Sequence, residues 1–442
     1  MIFNVLLLSL QILLLSLLIG RELSRCGAKN VIAILLFTAH LVLVEGQAIY
    51  VLSDLAATGE PVFYADNVIR LQSFTLANIT LTASVVVICI SYYLAGRRSP
   101  LARTSRWGEP RETLFSYIVV IGLALTAGCL LIQKLGGFGR FYYSMGVMIG
   151  GQVFLMTLLS IGKLPLFHKM VSRRSANPVD WLLFSIVALL IMWNSRGTAV
   201  FIILQYSILN YFSQGPNRNL AKVLLKAGVV VCLVVMVYGG IRDFVTPRGT
   251  FDGLAEYYFV ASGADRPKVL AMGDLFYRFM ISTFTGLAGI LNTYVESGAD
   301  HDFGITNLFL FTHLIPHSLR IAMLQDVEDW LVSFRLISGS VVLGGYESWF
   351  VHLGFPGILI FSIALGTLPR WLHNRLVSDR ADRLRYGLLS VYVLNLLLAP
   401  LWTVTLWILA DLCMLTIYRV ALSAGMHFEP KAILARHVKI CE

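Results

Sequence analysis

Ile2-Phe3-Asn4-Val5-Leu6-Leu7-Leu8-Ser9-Leu10-Gln11-Ile12-Leu13-Leu14-Leu15-Ser16-Leu17-Leu18-Ile19 decides the fold class. The run is apolar for long enough to cross a bilayer as a helix. No basic residue precedes it, whereas Arg21, Arg25 and Lys29 follow it. No small-residue cleavage site ends it, and in Leu23-Ser24-Arg25-Cys26 an arginine stands where a lipoprotein signal needs a small residue. The segment therefore reads as a retained helix whose N-terminus lies outside.

Such runs recur to the end of the chain. Of its 442 residues, 57% are hydrophobic and 14% charged; soluble domains carry about 25% charged residues. The runs do not alternate as barrel strands would. They predict an all-α, polytopic membrane protein of about eleven spans, within a range of 10 to 14. The spans fall near 2–20, 31–52, 71–95, 114–132, 143–162, 180–194, 198–213, 223–239, 346–366, 386–399 and 401–420. The segments assigned inside, 21–30, 96–113, 163–179, 214–222, 367–385 and the tail from 421, hold 22 Lys and Arg. The short outer loops hold only Arg70, Lys134, Arg140 and Arg196. Basic residues stay on the cytoplasmic side, so this asymmetry fixes the orientation and puts the C-terminus inside. The net charge of +10 is explained by these loops, and nucleic-acid binding is not expected. The six cysteines form no CxxC or Cys/His cluster, so neither a disulfide framework nor a zinc site is expected.

Three regions follow: spans one to eight over 1–239, a long outer segment over 240–345, and the last spans with the tail over 346–442. The outer segment carries more acids than bases. Its apolar stretches Leu275 to Leu291 and Ile305 to Ile321 read as short amphipathic or re-entrant helices on the membrane face. Long ordered loops in economical chains usually carry function.

Several residues there could carry chemistry. Arg196, in the turn Trp193-Asn194-Ser195-Arg196-Gly197, and Arg242, in Gly239-Gly240-Ile241-Arg242-Asp243, fall at the same outer depth. Arginine's planar fork suits a phosphate, and a diphosphate-linked lipid presents its anion at that depth. Alternatively, Arg196 snorkels to lipid phosphate and Arg242 pairs with Asp243. Arg278 is a further candidate for the diphosphate. His313 and His317 lie in Thr312-His313-Leu314-Ile315-Pro316-His317, where Pro316 interrupts any continuous helix. With no third ligand nearby, proton transfer or a structural role fits them better than metal binding. In Gly344-Gly345-Tyr346-Glu347-Ser348-Trp349, the expected place of Glu347 is the outer interface, as a general base or as an acid complementing a helix N-terminus. Arg320, Arg335, Tyr346 and His352 are candidate sugar contacts. Glu45 and Asp411 lie inside apolar runs, where acids are functional by default. No nucleotide-binding fingerprint or Asp-x-Asp pair is present.

Ser195-Arg196-Gly197 before an apolar run, Gly240-Ile241-Arg242 opening the outer loop, and Gly345-Tyr346-Glu347 leading into Leu353-Gly354-Phe355-Pro356-Gly357 resemble the oligosaccharide repeat-unit polymerases of the Wzy type. In this chain His352 stands where an asparagine or other polar residue is commoner. The resemblance implies a GT-C-like fold in the bacterial inner membrane. It also implies transfer of a growing glycan from undecaprenyl diphosphate to the next lipid-linked repeat unit on the periplasmic face. The partners it implies are undecaprenyl-diphosphate-linked oligosaccharide, the lipid bilayer and optionally a chain-length regulator protein. Neither metal nor cofactor is implied, because the diphosphate is already an activated leaving group. Two alternatives remain: an O-antigen ligase transferring to lipid A core, and a flippase or transporter of lipid-linked oligosaccharide. A transporter predicts charged groups within several spans, and few are evident in the sequence.

Overall fold

The computed structural model describes residues 1–25, 28–59, 61–64, 67–95, 163–164, 166–168, 171, 182, 196–214, 283–297, 344–378, 382–398 and 401–427. These residues are helical apart from one small hairpin. The helices are α1 (Ile2–Ser24), α2 (Val31–His40), α3 (Gly46–Thr58), α4 (Leu71–Ala95), α5 (Arg196–Gln214), α6 (Thr283–Ser297), α7 (Gly345–Ser378), α8 (Arg383–Asn395) and α9 (Leu401–His427). A single π turn, Leu41–Glu45, joins α2 to α3 without a break in the rod. Strands β1 (Val62–Tyr64) and β2 (Asn67–Ile69) pair antiparallel, with Val62 opposite Ile69.

Four of these rods are long and apolar enough to cross a membrane: α1, α2 continued through α3, α4 and α7. Their packing is inverted relative to a soluble protein. On α1, the side chains of Ile2, Val5, Leu6, Leu10, Leu13 and Leu17 are exposed, while Asn4 and Gln11 are buried. That pattern suits a rod with lipid on one side and a bundle on the other. The buried face of α1 meets α4 through amides and hydroxyls. Gln11 Nε2 donates to Asn78 Oδ1 (2.7 Å) and Thr82 Oγ1 (2.7 Å), and Asn4 Nδ2 donates to Thr75 Oγ1 (2.9 Å). Apolar burial adds little between helices already in hydrocarbon, so polar bonds and close packing carry association.

One end of the bundle is strongly basic. Arg370 bonds Glu22 (2.9 Å), Arg25 approaches the same carboxylate (3.6 Å), and Asn30 reaches Tyr92 (3.0 Å) and the Pro369 carbonyl (3.3 Å). Arg419 pairs with Asp382 at this end too. The pairings tie the ends of α1, α2, α4 and α7 into one plane, from which depth in the bundle can be counted. The spans expected at 114–132, 143–162 and 223–239, most of the one at 180–194 and most of the outer segment lie outside the described residues.

The expected spans at 346–366 and 386–399 take a different form. Helix α8 has only 13 residues, about 20 Å at the helical rise. Helix α7 is two helices joined at Gly354, whose φ of 64° and ψ of −144° suit glycine alone. At that residue the chain doubles back. Tyr346 and Phe361, 15 residues apart, have ring centroids 4.9 Å apart, and Trp349 stacks on the same phenyl ring at 6.0 Å. In a straight helix they would lie about 22 Å apart. Residues 345–353 thus form a short re-entrant arm inside the bundle.

Candidate functional site

The re-entrant arm corrects the expected position of Glu347. The sequence suggests an outer interface for Tyr346, Glu347 and Trp349. Instead Tyr346 and Glu347 are shut inside the bundle, Glu347 at 0% exposure, and Trp349 is half-buried. The arm starts beside the end of α8, where the Gly345 N–H donates to the Leu397 carbonyl (3.2 Å). Glu347 lies in its first turn, and its Oε2 accepts the Gly344 N–H (2.8 Å). That bond satisfies one of the orphan donors at a helix start and places the negative charge at the positive end of the helix dipole. On the next residue, Ser348 Oγ lies 3.3 Å from His352 Nε2, one turn farther along, and both are buried.

Helix α6 closes over Glu347. A β-carbon on Gly286 would fall 2.5 Å from Glu347 Oε2, so only a bare backbone fits against the carboxylate. The start of α6 is fixed by α3 and the π turn before it: Gln47 Oε1 accepts the Phe284 N–H (2.9 Å), and Thr283 Oγ1 donates to the Leu43 carbonyl (2.6 Å). Farther along, Tyr294 meets Phe350 edge-on at 5.4 Å. Phe284, Leu287, Ala288 and Leu291 are buried, so this helix lies within the bundle and not on its membrane face.

Two polar clusters lie between the basic plane and the far end. In the first, His40 is bracketed: Nδ1 is 3.0 Å from Glu45 Oε2 and Nε2 is 2.7 Å from the Tyr346 hydroxyl. That hydroxyl is 2.8 Å from Ser84 Oγ, which is 2.7 Å from Ser362 Oγ. Counted along their helices from Asn30, Tyr92 and Arg370, these groups lie about 12 to 15 Å above the basic plane. In a hydrocarbon core about 30 Å thick, that is close to mid-depth. In the second cluster, Lys163 Nζ is 2.7 and 3.0 Å from the two oxygens of Asp411. Tyr392 donates to Asp411 Oδ2 (2.5 Å), as does Gln205 Nε2 (3.3 Å). Lys163, expected in the inner segment 163–179, is instead shut inside the bundle, so charged groups there are more numerous than the sequence suggests. Glu45 and Asp411 were evident there as intramembrane acids; their partners were not.

Arg196 is the first residue of α5. Tyr211, on the same helix, accepts the Lys29 N–H (3.2 Å) at the basic end. Fifteen residues of helix place the start of α5 about 22 Å away, toward the opposite end. Arg242, Arg278, His313, His317, Arg320 and Arg335 lie outside the described residues. The structure thus brings Tyr346, Glu347 and His352 onto one arm and adds Gly286, His40, Glu45 and Ser84 as neighbours that the sequence did not single out as a group. Comparison with family models, curated proteins and solved structures gives no match for this chain.

Proposed function

We propose that this chain is a membrane glycosyltransferase that polymerises polysaccharide at the outer face of a bacterial inner membrane. In this reading the basic end, with Arg21, Arg25, Lys29, Arg370, Arg375, Arg383, Arg385 and Arg419, faces the cytoplasm. The donor is a growing glycan on undecaprenyl diphosphate, and the acceptor is a hydroxyl of the next lipid-linked repeat unit. The acceptor oxygen forms the new glycosidic bond, the anomeric carbon–diphosphate bond breaks, and the acceptor proton passes to a protein base.

The observation that carries this reading is the carboxylate of Glu347. It is buried on an arm that starts inside the bundle, and the backbone of Gly344 and the bare face of Gly286 hold it in place. A fixed carboxylate out of bulk water is suited to accept a proton from a sugar hydroxyl. His313 and His317 remain candidates for the same role. Arg196 supports the reading from the donor side, because its helix begins at the end away from the cytoplasmic belt. With Arg242 and Arg278 it would neutralise charge on the leaving diphosphate. Purified protein given lipid-linked repeat units alone should produce a ladder of glycans. Glu347→Gln should slow it by about 10²- to 10⁴-fold, the usual worth of a general base. Full polymerisation by both Arg196→Ala and Arg242→Ala at normal expression would refute the assignment. A ligase would give no ladder and would require a lipid A core acceptor.

A second reading, a carrier of lipid-linked oligosaccharide, is favoured by the mid-depth pairs His40–Glu45 and Lys163–Asp411. Proteoliposomes separate the two: a carrier moves the headgroup across the bilayer without making a glycosidic bond.

A further inference from the structure

The hydrogen-bond chain from Glu45 to Ser362 can be counted proton by proton. Ser362 Oγ donates to the Ile358 carbonyl (2.6 Å), which uses its only hydrogen. Ser84 must then donate to Ser362, and Tyr346 to Ser84. With its hydrogen used, the Tyr346 oxygen accepts from His40 Nε2–H. His40 Nδ1 still faces a Glu45 oxygen at 3.0 Å, and two lone pairs cannot bond. One further proton is therefore required, on Nδ1 or on the carboxyl.

The same atoms support a second arrangement with one proton fewer. If that proton leaves to water, His40 keeps a hydrogen on Nδ1 and donates it to the Glu45 carboxylate. Nε2 then accepts from Tyr346, Tyr346 accepts from Ser84, and Ser84 accepts from Ser362. The Ile358 carbonyl loses only its side-chain donor. Every polar atom of the chain except Glu45 Oε1 has a partner in both arrangements, and the hydroxyls point in opposite directions. Glu45 on the π turn and Tyr346 on α7 are the titratable partners of His40, while α4 contributes the hydroxyl of Ser84. Neither α1 nor α8 adds a charged partner to the bonds of His40 or Glu45.

We infer that His40 and Glu45 form an intramembrane site for one exchangeable proton, whose occupancy sets the direction of a hydrogen-bond relay through Tyr346 and Ser84 to Ser362. The inference is independent of the glycan reading, since it concerns only groups in the chain. It makes the re-entrant arm, through Tyr346, responsive to proton loading.

The test uses the full chain in lipid nanodiscs without substrate, followed by infrared difference spectroscopy between acidic and alkaline buffer. The wild type should gain one proton on acidification, and the phenol C–O band of one tyrosine should shift with the same midpoint. Glu45→Gln should abolish both signals. Tyr346→Phe should retain the proton and lose the tyrosine band, which identifies the band. Ser84→Ala, a milder change, should retain the proton but alter the size of the tyrosine shift. Identical spectra from wild type and Glu45→Gln would overturn the site. A proton that titrates with no tyrosine shift in the wild type would overturn the relay.

Discussion

Lys163 and Asp411 meet through two short contacts, 2.7 and 3.0 Å, with Lys163 at 0% exposure. A pair this deep is costly to break, because the surviving charge stays in a low-dielectric setting. Asp411→Asn should destabilise the protein by roughly 3 to 5 kcal/mol, read as a lower melting temperature in detergent. The double change Lys163→Met with Asp411→Leu should recover most of that loss. If the double variant melts with the single one, the pair has a role beyond its own charge balance.

Gly286 sets the second prediction. Alanine there would press its methyl group against the Glu347 carboxylate, 2.5 Å from Oε2. Overpacking of this kind costs about 1 to 3 kcal/mol. The larger effect should be on function: Gly286→Ala should lose glycan polymerisation while still purifying as a folded protein. Activity near wild type would mean that the exact place of Glu347 is unimportant.

The fold-back at Gly354 gives the third. Its φ of 64° with ψ of −144° is closed to side-chain-bearing residues. Gly354→Ala should cost about 1 to 3 kcal/mol through backbone strain. The neighbouring Phe355→Leu, at an exposed position, should cost far less. Thermal melts of the two variants side by side settle the comparison.

The α1–α4 seam gives the fourth. Gln11 Nε2 donates to Asn78 and Thr82, joining two helices 67 residues apart in sequence. Interhelical bonds in membranes average about 0.6 kcal/mol and reach about 1.7. Gln11→Leu should therefore lower stability by about 1 kcal/mol or a little more. Asn78→Leu should be worse, because Asn78 also bonds Asn4. Pulse proteolysis would rank the two.

The sequence reveals the rods and hides the joints. The rods expected at 2–20, 31–52 and 71–95 are legible because each is a long, mostly apolar run, and Arg21, Arg25 and Lys29 mark an end. The re-entrant arm was not legible as such. Tyr346 and Trp349 are ordinary interface residues by type, and apolarity continues through Phe350 and Phe355 into the crossing helix. The Gly354-Phe355-Pro356-Gly357 stretch marks a break but not the angle of the turn. Glu45 and Asp411 stood out because an acid in an apolar run is conspicuous. Their partners did not: Lys163 is 248 residues from Asp411, and Tyr346 is 306 from His40. Helical periodicity reports faces within one rod and carries nothing across such separations.

The π turn at Leu41–Glu45 has a consequence for how this molecule could have arisen. Residues five apart on a regular α-helix point about 140° away from each other, at about 100° per residue. His40 and Glu45 are five apart and yet in contact, which only the wider turn permits. A single codon inserted into an ancestral straight span, where the two would be four apart and about 40° around the helix from each other, is absorbed by this wider turn, so the imidazole–carboxylate pair survives the insertion. Deleting one residue between Leu41 and Val44 should therefore restore a regular span that still crosses the bilayer, with its histidine and glutamate four apart on one side.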